Sequence, residues 1–307
     1  MKPSSSPSPS SPSLTHRELV TQPESWRRAA RAAKLTTGLP SPGERVAVTG
    51  CGTSWFMAQA YAALREAAGQ GETDAFAASG FPRGRAYDRV VAITRSGTTT
   101  EVLRLLSETA STPTLAITAD PRTPVMDAAT DTAVLDWADE ESVVQTRFAT
   151  TALAFLRAGL SPSAEAAIVT AADEVEGALA TPLPPSLLAA EQWTFLGQEW
   201  TYGLAQEAAL KMREAAGAWT EAYPAMEYRH GPVAIAGPGR VVWSFGPLPE
   251  GLAAQVAATG ATLVAEPGRD PMADLVRAQR LAVAVAESRG LNPDAPRHLT
   301  RSVVLSG

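Results

Sequence analysis

An α/β fold built on mainly parallel sheets is predicted by two features of this sequence. Short β-branched runs recur along the chain, among them Arg45–Thr49 (RVAVT), Val90–Thr94 (VVAIT) and Thr114–Thr118 (TLAIT). Longer Ala/Leu-rich stretches alternate with them. Strands buried on both faces read as continuous apolar runs, and a strand–helix–strand rhythm places helices over both faces of a parallel sheet.

Taken in order, the chain opens on a Pro/Ser-rich tail over residues 1–14, whose start reads MKPSSSPSPSSPS. It has no apolar centre, so it reads as a disordered tail rather than a leader or anchor. Glu18–Lys34, rich in Arg and Ala, predicts one helix. Strands are predicted at Arg45–Thr49, Asp74–Ala78, Val90–Thr94, Thr114–Thr118 and Thr132–Leu135, with helices at Ser54–Ala68, Thr99–Glu108 and Pro124–Ala129. Two longer helices, Val144–Ala158 and Ser163–Ala178, precede the linker Thr181–Ser186 (TPLPPS). Beyond it the alternation resumes: strands at Trp193–Gly197, Arg240–Phe245 and Thr262–Ala265, helices at Gly203–Ala216, Gly251–Thr259 and Met272–Arg289. The last stretch, Asn292–Gly307, reads as extended. VTGCGTSWFMA in the first half and FLGQEWTYGLA in the second are both strand, glycine, then helix. That parallel predicts two related units, 15–180 and 187–307.

Composition narrows the function. The 307 residues suffice for one large or two moderate domains, and 45% hydrophobic with 19% charged residues is the make-up of a folded chain. A formal charge of −6 argues against nucleic acid as a partner. A single cysteine, Cys51, rules out an internal disulfide and a cysteine-rich metal site. His16, His230 and His298 lack metal-ligand spacing, so no metal or other cofactor is expected. No apolar run is long enough to span a membrane, and a reducing cytoplasm is the expected setting.

Four segments carry candidate chemistry. In Ile93–Glu101 (ITRSGTTTE) a strand ends on a glycine-containing turn, and three threonines lead into a helix. Hydroxyls, backbone N–H groups and a helix N-terminus then converge at a strand's carboxyl end, which suits an anion, and Arg95 adds a charge matched to phosphate. The alternative is an ordinary helix cap. Gly50–Ser54 (GCGTS) is a second such loop, matching neither a dinucleotide nor a Walker motif. Cys51 within it reads as a small buried thiol, since no motif marks an activating base. In Glu207–Glu214 (EAALKMRE), Glu207, Lys211 and Glu214 share one helical face. A solvated stripe is the default for such charges, but the apolar neighbours Ala208, Ala209, Leu210 and Met212 favour a cleft in which a carboxylate beside a lysine serves as a proton-transfer base. Tyr223–Pro232 (YPAMEYRHGP) holds His230 before a Gly-Pro turn, a position that spacing alone does not mark as catalytic.

Together with Glu18–Pro23 (ELVTQP), Glu140–Thr151 (EESVVQTRFATT) and Pro296–Val303 (PRHLTRSV), these segments resemble the sugar isomerase (SIS) domain family, above all its double-SIS members related to the isomerase half of glutamine–fructose-6-phosphate aminotransferase. The resemblance runs from about His16 to Val304. It implies two doubly wound, flavodoxin-like SIS units. It implies that Thr94, Arg95, Ser96, Gly97 and Thr99 bind a phosphosugar's phosphate, helped by Cys51, Gly52, Thr53 and Ser54. It implies that Glu214 moves the proton of an enediol or enolamine, that Lys211 lies beside the sugar, and that His230 opens the ring from the neighbouring subunit of a homodimer. Two departures stand out. Arg95 sits where relatives often have glutamine. Arg301 sits where a lysine is common, and arginine forms no imine. No glutaminase segment is present in the sequence. The expected activity is a phosphosugar isomerase or amino-sugar-phosphate deaminase acting on a hexose or hexosamine 6-phosphate, with Arg301 steadying charge beside Lys211. The alternatives are a non-catalytic phosphosugar-binding module and a fructosamine-phosphate deglycase.

Overall fold

The computed structural model describes residues 12–305, so most of the Pro/Ser tail and the last two residues of the C-terminal stretch lie outside the described residues. The chain forms a five-stranded and a four-stranded sheet, both wholly parallel. The first contains β1 (Val46–Gly50), β2 (Thr73–Ala77), β3 (Arg89–Ile93), β4 (Thr114–Thr118) and β5 (Asp131–Val134), in the order β2-β1-β3-β4-β5. The second contains β6 (Gln192–Gly197), β7 (Trp219–Pro224), β8 (Arg240–Ser244) and β9 (Thr262–Ala265), in the order β7-β6-β8-β9. The second order repeats the first with one strand fewer.

The predicted strands appear within a residue of their expected bounds; the first helix, β7 and the linker differ. The single helix expected at Glu18–Lys34 is two, α1 (Leu14–Leu19) and α2 (Gln22–Ala33), because Pro23 opens a new helix and Thr21 folds its hydroxyl back onto the Glu18 carbonyl. β7 was not expected from the pattern. It is an edge strand with most positions half-exposed, its first residue Trp219 is open to solvent, and its last is a proline, so the alternation of a buried strand is missing. The TPLPPS linker is partly helical, with a short turn α8 at Pro185–Leu188.

Helices cover both faces of each sheet. On one face of the first sheet Ala47, Val90, Ala92 and Ala116 meet Val102, Leu105 and Leu106 of α4 (Thr100–Glu108) and Val125 of α5 (Val125–Ala128). On its other face Val46, Val48, Val91, Ile93, Leu115 and Ile117 pack into the main core with α3 (Thr53–Ala67) and α6 (Arg147–Ala158). That core continues across α7 (Pro162–Ala180), α9 (Thr201–Ala216) and α11 (Pro271–Ser288) to Trp193, Phe195 and Trp243 on the inner face of the second sheet. The outer face of that sheet, Leu196 and Val242, is covered by α10 (Leu252–Thr259) and the turn carrying Tyr228. The sheets thus share one helical layer. A buried network ties it together: Trp26 and Gln22 of α2 bond to Thr150 of α6, and Gln22 donates to Gln279 of α11 at 2.9 Å.

Glycine at the end of the first strand of each sheet lets the next helix fold straight back. A Cβ at Gly50 would lie 2.6 Å from Ser54 Cβ, and one at Gly197 would strike the Thr201 backbone. This is the physical content of the parallel between VTGCGTS and FLGQEWT.

Candidate active site

β1 and β3 are neighbours, but the chain leaves them in opposite directions: α3 covers one face of the sheet and α4 the other. A crevice opens at such a switch point, outside the strands' carboxyl ends. The two hydroxyl-rich loops therefore face each other across it. A cavity of about 210 Å³ lies there, lined by Cys51, Gly52, Thr53 and Ser54 from one loop and by Thr94, Arg95, Ser96 and Thr99 from the other, with Glu214 and Arg301 also in its wall. Neither α3 nor α4 has a side-chain cap at its N-terminus, which leaves backbone donors for a ligand. Gly52 adopts φ 55° and ψ −125°, outside the range of a residue with a Cβ, and nothing lies within 4 Å of where one would be. Thr94 Oγ1 is buried at the cavity with no hydrogen-bond partner among the described residues.

Gly97 does not line the cavity. It shapes the loop from behind at φ 61°, where a side chain would run into Thr123 and come 2.8 Å from Val125. Cys51 is a thiol, not a thiolate: burial and the nearby Glu101 push its pKa up to about 11.

Arg95 departs from the sequence expectation of a charge offered to phosphate. Its guanidinium is buried and donates to the carbonyls of Ser142 at 3.0 Å and Arg301 at 3.1 Å, with Glu140 at 3.9 Å. Burial depresses its pKa and Glu140 opposes that. Glu140 in turn caps α6, accepting from the N–H groups of Thr146, Arg147 and Phe148. Arg301 departs in the same way. It lines the cavity, but its guanidinium pairs with Asp139 at 2.5 Å and donates to the Glu140 carbonyl. Arg95 ties the C-terminal stretch to the phosphate-type loop, and Arg301 ties it to the Asp139–Glu140 segment. Ser302 Oγ lies 3.0 Å from the hydroxyls of Ser96 and Thr98, and Thr100 N donates to the Val303 carbonyl. The predicted extended segment is a strap that forms one wall, with no strand pairing.

α9 packs against α3, which brings its charged face to the crevice. Glu207 and Lys211 are buried and Glu214 is about one-fifth exposed. Lys211 Nζ bonds to Glu214 and lies 3.7 Å from Glu207. Burial pushes the Glu207 carboxyl up to about 8, with Lys211 opposing and Glu214 reinforcing. Burial works against the Lys211 ammonium, but Glu207 and Glu214 outweigh it and hold its pKa above the ordinary value. The charged stripe is therefore a buried cluster, and its one carboxylate at the cavity is Glu214. Lys211 does not line the cavity; it bonds to Glu214, which does. His230, in the turn Glu227–His230, is not among the cavity's lining residues either. Gln145, Val143 and Leu299 also line the wall and were not singled out from the sequence, where nothing in their type or spacing marks them.

The corresponding crevice of the second sheet, between β6 and β8, is bridged by the chain itself. Gln198 donates to the Pro247 carbonyl at 2.9 Å and Thr201 to the Phe245 carbonyl at 3.1 Å.

Comparison with known proteins agrees with this architecture. No family model matches the chain. Glutamine–fructose-6-phosphate aminotransferase of Tropheryma whipplei is 30% identical over 36% of this chain and 23% of its own length. The enzyme of that name from Aeropyrum pernix is 35% identical over 33% of this chain and 21% of its own. The chain thus spans less than a quarter of these curated relatives. Glucosamine-6-phosphate deaminase of Thermotoga maritima superposes with a TM-score of 0.80 at 25% identity, over 95% of this chain and 100% of that one. This chain shares its fold. The C-terminal domain of glucosamine-fructose-6-phosphate aminotransferase of Francisella tularensis (TM-score 0.77, 21% identity, 92% and 98% covered) has that fold too. So does tagatose-6-phosphate ketose/aldose isomerase of Escherichia coli (TM-score 0.75, 17% identity, 96% and 97% covered). Among the described residues, no group of three or more His, Cys, Asp or Glu side chains is placed to hold a metal, and no helix is long and apolar enough to cross a membrane.

Proposed function

We propose that this chain is a SIS-type phosphosugar isomerase or amino-sugar-phosphate deaminase that moves a proton between C1 and C2 of a hexose or hexosamine 6-phosphate. One observation carries the reading: a carboxylate held by a buried lysine, Glu214, shares a cavity with two hydroxyl-rich helix N-termini at a sheet switch point. The likeness to a glucosamine-6-phosphate deaminase over the whole of that chain agrees with it. In this reading the two sheets are related doubly wound units, 15–180 and 187–307.

The phosphate sits on the N–H groups and hydroxyls of Gly52–Ser54 and Thr94–Thr99, which fixes the sugar's far carbons toward Glu214. Glu214 takes the C2 proton and returns it at C1. Lys211 positions Glu214 from behind through their ion pair. Where C2 carries an amine, hydrolysis of the resulting ketimine releases ammonia. Arg301, engaged by Asp139, shapes the wall and forms no imine. His230 opens the ring from a second copy of the chain in a homodimer.

The test uses fructose 6-phosphate and glucosamine 6-phosphate in deuterated solvent, read by exchange at C1 and C2 and by ammonia release. Glu214→Gln is expected to slow exchange by about 10²–10⁴-fold while phosphosugar affinity stays within a few-fold. Full exchange by that variant would overturn the mechanism.

A further inference from the structure

The turn that carries Gln145 is anchored on both sides. Before it, Glu18 of α1 accepts from the N–H groups of Glu141 at 2.6 Å and Ser142 at 3.3 Å and from the Ser142 hydroxyl. After it, Glu140 accepts from the N–H groups of Thr146, Arg147 and Phe148. Gln145 lies between these anchors and lines the cavity at the sheet switch point, with Val143 beside it. Its Oε1 is buried and has no hydrogen-bond partner among the described residues. Thr94 Oγ1, which belongs to the same cavity, is in the same state. A buried acceptor left unpaired is costly, and native structures keep few of them. Two on the wall of one cavity point to a ligand as their partner.

The turn also has a definite place along such a ligand. Glu140 is 3.9 Å from Arg95 of the phosphate-type loop, and it acts on the charges of Glu207 and Lys211 on α9. The turn 140–146 therefore runs between the hydroxyl loops and the helix that carries Glu214. A sugar with its phosphate on the loops and C1 and C2 at Glu214 passes its middle carbons along this turn, and each of them bears a hydroxyl. An amide matches a pair of hydroxyls, since Nε2 donates to one while Oε1 accepts from the next. It is uncharged, so it competes with neither the phosphate nor Glu214. Inverting one carbon turns its hydroxyl away and leaves one end of the amide unpaired, which is how a polar site rejects an analogue. We infer that Gln145 is a specificity-determining residue that reads the configuration of the C3 and C4 hydroxyls of an open-chain hexose 6-phosphate. This rests on the phosphosugar reading of the cavity and adds to it the residue that chooses among such sugars.

The deciding measurement is calorimetric titration of the full chain with inorganic phosphate, glucitol 6-phosphate and the C3 and C4 epimers of glucitol 6-phosphate. These polyols are open-chain and lack a carbonyl, so no proton transfer disturbs the titration. The wild type is expected to separate the strongest from the weakest polyol by about tenfold or more, the worth of one hydrogen bond and the unpaired group its loss leaves. Gln145→Met keeps the length of the side chain and removes both polar ends. It is expected to narrow that spread to within about threefold while the affinity for inorganic phosphate stays within about twofold. Its Tm is expected to be unchanged or higher, because an unpaired buried acceptor has been replaced by an apolar group. A fall in Tm of several degrees assigns the amide to the fold and overturns the inference, as does a spread that persists in the variant. If the polyols bind the wild type with no spread, only the role of Gln145 falls. If neither they nor phosphate bind, the phosphosugar reading falls with it.

Discussion

At the scale of single residues, the site turns on which charges are ionised. Glu207 and Glu214 lie on one helical face beside one lysine, but burial separates their roles. The Glu207 carboxyl titrates near 4.5 in an unfolded chain and near 8 in the native one. The native state therefore holds the proton more tightly between those values. Stability is fully present below about pH 4.5 and is lost as pH rises through about 8. Glu207→Gln, neutral and nearly isosteric, is expected to remove that loss. Urea denaturation from pH 5 to 8.5 should show the variant gaining on the wild type as pH rises, and parallel curves would count against a buried, protonated Glu207. Arg95 and Arg301 teach a related lesson. Their types suit phosphate and oxyanions, but each guanidinium donates to backbone carbonyls, and Arg301 also pairs with Asp139. Side-chain chemistry was legible in the sequence. The direction in which each side chain points was not, since that depends on partners distant in the chain, such as Ser142 and Arg301 for Arg95 and Asp139 for Arg301.

At the scale of elements, the strap over residues 299–305 is the part of the site least like a regular structure. It is held by bonds from Arg95, Ser96, Thr98 and Thr100 and by the Arg301–Asp139 pair. That pair is more than a third exposed on both sides, so its contribution to global stability is small, about 0–1 kcal/mol. Its effect falls on the wall of the cavity. Asp139→Ala is expected to raise KM for the phosphosugar several-fold with kcat within about twofold and Tm within a few degrees. A large fall in Tm with unchanged KM would make the pair structural instead. The regular elements were easier to read: β-branched runs placed all five strands of the first sheet within a residue of their bounds, whereas β7, at one edge and ending at Pro224, lacked the local signal.

At the scale of the whole molecule, the shared helical layer joins the two sheets and makes one site from both halves. The first sheet supplies the loops and the second half supplies α9 with Glu214. His230 remains outside the cavity of its own chain. If a second copy supplies it, two inactive variants, Glu214→Gln and His230→Ala, regain activity when unfolded and refolded together. About a quarter of wild-type activity is expected from random pairing, because half of the dimers are mixed and each of those has one intact site. No recovery on mixing would place His230 outside the site.

The sequence by itself determined the alternation of strand and helix, the glycines at strand ends and the hydroxyl-rich helix starts. These are local properties, set by side-chain period, branching and the conformations glycine alone permits. Only the tertiary structure decided that the two loops meet between β1 and β3, that Glu214 rather than Glu207 faces the cavity, and that Arg95 and Arg301 serve the strap. Strand order and burial arise from contacts between distant parts of the chain, and it is burial that settles which of several similar charges remains available for chemistry.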